Sequence, residues 1–253
     1  MEYKLGALKP KIDKRDYVFH PAGVVSEEQL PKTFKLDMPA IRDQGPVNSC
    51  AAHAAETIAE YYNLHQTGDV IRLSPGYIYG CRYNYTGEGM YLRDALKTLK
   101  KRGICRFGEF PHNEEVPNII KKFKEVKEWH SDYPNRISTY FSIDKDDVTN
   151  IKLALLRNGP LMVSIPWQSD FKLDCKNVLY SKSNCNAFRG YHAVVVYGWN
   201  EKGWLIQNSW GKNWGDKGRA TYPYAFEEVW GTTDDIYNED VKKIETNWIT
   251  NIL

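Results

Sequence analysis

At 253 residues the chain has room for one large domain or two closely packed ones, but not for three. Hydrophobic residues at 42% and charged residues at 26% exclude a wholly disordered chain. Lys and Arg number 34 against 32 Asp and Glu, and a balance of +2 argues against a general nucleic-acid binder.

Residues 1–32 are charged and poor in apolar periodicity, closing at Leu30-Pro31-Lys32. They read as an arm or pro-segment outside the main core. The opening ten residues hold no apolar run that would form the core of a signal peptide, and no later stretch approaches the ~20 apolar residues that span a bilayer. The expectation is a chain made in the cytoplasm, with no membrane partner and with release by a non-classical or phage-type route left open.

Ser49 is placed to cap a helix over Cys50 to His65, where Ala51, Ala54, Ala55, Ile58, Ala59 and Tyr62 recur at spacings of three and four. A second helix is predicted over Tyr91 to Lys101, stopped by Gly103, and a third near Pro117 to Trp129. A fourth runs from Asp147 to Arg157 and ends at Gly159-Pro160. Beyond Pro160 the pattern turns strand-like: Leu161 to Ile165, Tyr191 to Tyr197, Trp204 to Asn208 and Arg219 to Tyr222, with a hairpin turn at Asn200 to Gly203. Helices first and strands later predict an α+β architecture in two lobes with a cleft between them.

The chemistry begins at Cys50. A thiol in the first turn of a helix sits where the backbone dipole favours an anion, so its pKa is expected to fall. Gln44 stands six residues earlier, across the Gly45-Pro46 turn, and its amide together with the Cys50 N–H would make an oxyanion hole. His192 opens an apolar strand and Asn208 ends the next one. A hairpin can set them side by side, with the Asn carbonyl fixing the imidazole tautomer and Trp210 covering the bond. His53, one turn from Cys50, is the rival base, poorly aimed because it shares the helix. None of the five cysteines is spaced as CxxC and no HExxH occurs, so neither a metal nor any other cofactor is expected.

Together, Gln44-Gly45-(x4)-Cys50, His192-Ala193-Val194 and Asn208-Ser209-Trp210-Gly211-(x2)-Trp214-Gly215-(x2)-Gly218 resemble the three signature blocks of the papain family of cysteine proteases, in order, over Leu30 to Tyr224. The resemblance implies a papain-like two-lobe fold: a helical lobe carrying the Cys and an antiparallel β-barrel-like lobe carrying the His and Asn. The peptidase domain would cover residues 33–253, mainly helical over about 33–135 and mainly β over about 136–253. It implies Cys50 as nucleophile, His192 as acid/base, Asn208 as its orienter, Gln44 as oxyanion donor and a cysteine endopeptidase working through an acyl-enzyme on peptide or protein substrates. Gly87 and Gly89, within Thr86 to Met90, resemble the segment that bonds the substrate backbone, and Tyr191 and Trp210 fall beside the cleft.

Two alternatives keep the same residues: acyl transfer or amidase action on cell-wall or conjugate peptides, and a scaffold kept for binding. The sequence departs from the family at Val47, where a cysteine is usual, at Ala51 and His53, where aromatics are, and at Tyr191, where a small, amide or acidic residue is. The family also suggests two readings of residues 1–32: a segment that inhibits intramolecularly by covering the cleft with Lys11 to Phe19, or a structural arm. Cys81 with Cys105 and Cys175 with Cys185 could each bridge, but a reducing cytosol favours free thiols. His20, His65, His112 and His130 are expected in solvent, and Lys121-Lys122-Phe123-Lys124 on a wet helix face.

Overall fold

Apolar alternation in the second half of the chain builds one antiparallel sheet, and the alanine-rich helix that begins at Cys50 is laid against it. The computed structural model describes residues 4–11, 13–21, 25–84, 87–110, 133–181 and 187–234. The third expected helix, near Pro117 to Trp129, lies outside them, as do His112, His130, Lys121 to Lys124 and Cys185.

In chain order a single 3-10 turn (Glu27–Gln29) precedes the short strand β1 (Phe34–Lys35), then α1 (Cys50–Thr67), α2 (Pro75–Gly80) and α3 (Leu92–Arg102). Next come β2 (Thr139–Ile143), α4 (Val148–Asn158), β3 (Leu161–Gln168), β4 (Lys172–Leu173), β5 (Leu179–Tyr180), β6 (Phe188–Asn200), β7 (Gly203–Gln207), β8 (Arg219–Tyr222) and β9 (Glu228–Thr233). The main sheet runs β2-β9-β3-β6-β7-β8, with β1 also paired to β6. It does not close, since β2 and β8 end the order without pairing to each other; the barrel-like lobe expected is antiparallel, as an open sheet. β1 crosses β6 at Gly198, where an added Cβ would stand 2.2 Å from the Phe34 carbonyl oxygen, so only glycine fits there.

α1 is buried from Cys50 through Tyr62, which explains its small residues: alanines let the helix backbone come close to α2, α3 and β6. Gly68 ends it in the left-handed conformation at φ 74°. Ser49 stands at the N-cap, but its side chain makes no capping bond to the helix backbone; its Oγ lies 3.2 Å from His53 Nδ1 instead. Far down α1, the Tyr62 hydroxyl lies 2.8 Å from the carbonyls of both Asn158 and Thr232, able to donate to either, and so ties the helix to the sheet side. One apolar cluster gathers α1, α2 and α3 with Met162, Ala193, Val195 and Trp230 of the sheet. A second lies between the sheet and α4.

The N-terminal arm is not outside the core. Ala7 and Leu30 are buried members of the two clusters, and Leu5, Phe19 and Val25 pack against the second.

Candidate functional site

Cys50 reaches its place because α1 starts where the chain leaves the Gln44-Gly45-Pro46 turn. That turn is fastened to the segment after β7: the Gln44 N–H donates to the Ser209 carbonyl at 2.8 Å and the Gly211 N–H to the Arg42 carbonyl at 3.0 Å. The Gln44 side chain is buried and held at both ends. Its Oε1 accepts from Ser209 Oγ at 2.7 Å, while Nε2 donates to the Val47 carbonyl at 2.8 Å. Below the turn, Arg42 pairs with two buried carboxylates of α1, Glu60 at 2.6 Å and Glu56 at 3.3 Å. Burial holds both carboxyls above their usual range, Glu56 furthest, because the neighbouring Glu60 charge adds to the effect.

On the other side, the β6–β7 register pairs Val195 with Gln207, which carries Asn208 across from Val194. His192 lies two residues further along, on the same face of β6. Its Nε2 meets Asn208 Oδ1 at 2.7 Å, and Nδ1 has no partner among the described residues. Trp210 stacks on the imidazole with centroids 4.3 Å apart, and Trp167 of β3 stands edge-on to both rings. Trp167 was not legible as part of the site; its signal is the β3 register, which sets Ile165 opposite His192 and so puts Trp167 on the same face. The two sides meet where the Ala193 N–H donates to Cys50 Sγ at 3.4 Å, one residue from the imidazole.

The cleft between them is filled by the chain itself. The Lys4 carbonyl accepts from Gln44 Nε2 at 3.2 Å and from Trp210 Nε1 at 3.3 Å. The Met90 N–H donates to the Gly6 carbonyl at 2.8 Å, Ala7 N–H to the Tyr191 carbonyl at 3.3 Å, and Leu8 N–H to the Met90 carbonyl at 3.2 Å. Gly6 is pressed so closely to Asn48 that an added Cβ would lie 2.1 Å from the Asn48 carbonyl oxygen. Thus residues 4–8, rather than the Lys11 to Phe19 stretch, occupy the cleft, while residues 13–19 lie along α3 and β2. There Arg93 pairs with Asp13 and Asp16, and Phe19 N–H donates to the Ser142 carbonyl.

This filling reverses one expectation. The Cys50 thiol is pushed up to about 11, not down, because burial opposes the thiolate more strongly than the surrounding amides of Ala193, Gly6, Ala51 and Ala7 favour it. Burial likewise lowers His192 to about 4, only partly offset by its bond to Asn208. In this closed form both partners are neutral.

Of the other residues predicted for the site, Tyr191 contributes its carbonyl, and Gly89 lies under the arm, its absent side chain leaving room for Gly6 and Leu8. Gly87 does not meet the arm: its N–H and carbonyl are taken up locally by Asn84 and Arg82, so Met90 is the residue whose backbone bonds the segment in the cleft. His53 is turned back onto Ser49, 3.1 Å from its carbonyl, and is not aimed at the thiol. His65, exposed as expected, still bonds the Asp37 carbonyl, and Cys81, Cys105 and Cys175 are free.

The family model described as papain family cysteine protease matches residues 30–233. The chain belongs to the papain family of cysteine proteases. Cathepsin K of Mus musculus is 29% identical over 189 residues, covering 71% of this chain and 54% of that protein. The chain spans about half the length of the curated relatives it matches. In fold it is similar to xylellain, a cysteine protease from Xylella fastidiosa, with a TM-score of 0.77 at 20% identity over 93% of this chain and 99% of that one. It is also similar to digestive procathepsin L 3 of the Tenebrio molitor larval midgut, with a TM-score of 0.65 at 18% identity over 83% and 72% of the two chains.

Proposed function

We propose that this papain-family chain is a thiol endopeptidase held latent by its own residues 4–8. The observation that carries the reading is the occupied cleft: extended peptide backbone lies against Cys50, with a carbonyl on the Gln44 amide and main-chain bonds to Met90 and Tyr191. The same groups suit a peptide substrate.

With the arm out, water reaches the pair and the thiol proton passes from Sγ to His192 Nδ1. The thiolate then attacks the scissile carbonyl carbon, and the new oxyanion is held by Gln44 Nε2 and the Cys50 N–H. His192 returns its proton to the leaving amine as the C–N bond breaks, leaving a thioester on Cys50. Water, deprotonated by His192, cleaves the thioester and restores the thiol. Asn208 fixes the ring and its tautomer throughout by holding Nε2, which leaves Nδ1 as the nitrogen that takes and returns the proton.

Gly6→Ala tests the reading without truncating the chain, because the added methyl cannot coexist with the Asn48 carbonyl. The variant is expected to cleave a fluorogenic peptide faster than the parent and to take a single epoxide-inhibitor adduct on Cys50, read by intact mass. A seated arm with no gain would remove the latency, and a displaced arm with neither turnover nor adduct would remove the peptidase. An added amine in the same assay separates hydrolysis from acyl transfer.

A further inference from the structure

The indole of Trp167 lies inside the site, yet no step of the proposed reaction uses it. β3 and β6 put it there. Ile165 stands directly opposite His192 and Trp167 opposite Gly190, so Trp167 is the diagonal neighbour of His192 on one face of the sheet. Gly190 brings no side chain to that face, which leaves the diagonal to the indole. His192 and Trp210 are stacked at 4.3 Å and 23°, and Trp167 is nearly perpendicular to both, at 81° and 79°. With 4.7 Å to Trp210 and 5.6 Å to His192, Trp167 stands beside the stack, since a ring on top of either partner would be too far from the other. The stacked rings therefore turn their rims toward it, the arrangement that aromatic quadrupoles favour. Trp167 is itself buried and backed by Phe171 at 5.1 Å and 88°.

The reaction asks His192 to carry a positive charge twice, once in forming the thioester and once in cleaving it, while burial works against that charge. Of the groups around the imidazole, the Cys50 thiol of α1 is the titratable one, and its charge is lost as the thioester forms. Ile165 and Trp167 of β3, and Asn208 and Trp210 after β7, carry no charge. Glu228 of β9 pairs with Ser164 and so lies on the other face of the sheet. Lys4, the charged residue of segment 4–8, leaves with the arm. Among the described residues, therefore, no carboxylate stands by to steady an imidazolium, and the faces of aromatic rings are what remains to do it. Trp210 also gives up the Lys4 carbonyl when the arm leaves, whereas its contact with Trp167 does not depend on the arm.

We infer that Trp167 is a positioning residue of the reaction: it props the Trp210 indole over His192 and adds its own ring to the surroundings of the imidazolium, so that the protonated form of His192 is favoured. The consequence for turnover rests on the peptidase reading above; the effect on the imidazole itself does not.

The test uses the full chain in the Gly6→Ala background with Trp167→Leu, which keeps apolar bulk without the ring, and Trp167→Phe, which keeps a smaller ring. The His192 imidazole is titrated by NMR with Cys50→Ala added, so that neither a coupled thiol nor turnover enters. The pH dependence of kcat/KM on a fluorogenic peptide is read with Cys50 in place. Trp167→Leu is expected to lower the His192 midpoint, and with it the alkaline limb of kcat/KM, by about half to one pH unit. Trp167→Phe is expected to fall between leucine and the parent. A ring that only filled space would give the opposite sign, because its loss would admit water and let the imidazole charge more easily. A midpoint, or an alkaline limb, that is unchanged or raised would overturn the inference, and the phenylalanine variant decides on the same sign if the leucine variant does not fold. A lowered midpoint in chains that show no turnover would keep the role of Trp167 and sink the peptidase reading.

Discussion

On the helical side of the cleft, the thiol rides on a helix whose buried face holds two carboxylates clamped to Arg42, while on the sheet side the imidazole is gripped by indole rings. The first is an arrangement of charges in a low-dielectric setting, valuable only while complete. The second is apolar area with a single polar bond inside it, less sensitive to ionisation and more to shape. The comparison teaches that two groups which must act as one unit need not be held by the same kind of force. Each side can therefore be damaged separately.

The sharpest way to break the comparison is to remove the reacting group from each side in the Gly6→Ala background. Cys50→Ala and His192→Ala are each expected to lower kcat/KM by about 10⁴-fold or more, and the double variant to be no worse than either single one. Additive losses would mean the two sides do not act as a unit. Next in size, Arg42→Met should cost about 3–5 kcal/mol in urea-unfolding stability, because it strands Glu56 and Glu60 inside the protein. A cost below 1 kcal/mol would remove the clamp from the account of the helical side. Gln44→Ala in the Gly6→Ala background should lower kcat by about 10²–10³-fold, some 2.7–4 kcal/mol of transition-state stabilisation.

The smallest effect concerns pH and the sheet side. Glu228 is pushed up to about 7 by burial, eased by its bond from Trp230 Nε1. Because this carboxyl loses its proton in the unfolded chain near 4.5 but keeps it longer when folded, its contribution to stability is full below 4.5 and declines as pH rises to 7. Glu228→Gln should abolish that decline, gaining about 2–3 kcal/mol on the parent between pH 4 and pH 8. Parallel stability curves for the two proteins would show that Glu228 ionises normally.

Much of this was legible in the sequence wherever periodicity or a spaced motif carried it. α1, α3, α4 and strands β3, β6, β7 and β8 follow from apolar spacing and glycine stops, and Gln44, Cys50, His192 and Asn208 stood out by their company. α2 escaped because Pro75-Gly76 at its start and Gly80 at its end look like turn residues, although Ser74 accepts from the Tyr77 N–H as a proper cap. β9 escaped because Val229 to Thr232 are buried on both faces and so show no alternation. The direction of the Cys50 shift was out of reach for a different reason: a dipole can be read from position in a helix, but burial depends on which distant segment covers the thiol. Nothing in Lys4-Leu5-Gly6-Ala7-Leu8 carries a period or a motif that would announce it.

The Lys4 carbonyl on the Gln44 amide has one more consequence, which concerns concentration. An occluding segment on the same polypeptide is present at a local concentration of the order of millimolar, so a few backbone hydrogen bonds suffice to keep it seated. Displacement is then reversible, since the segment stays within reach and can return. A cut anywhere between Leu8 and Leu30 would instead turn an intramolecular partner into a dilute peptide of the same sequence, and the cleft would stay open at any ordinary protein concentration.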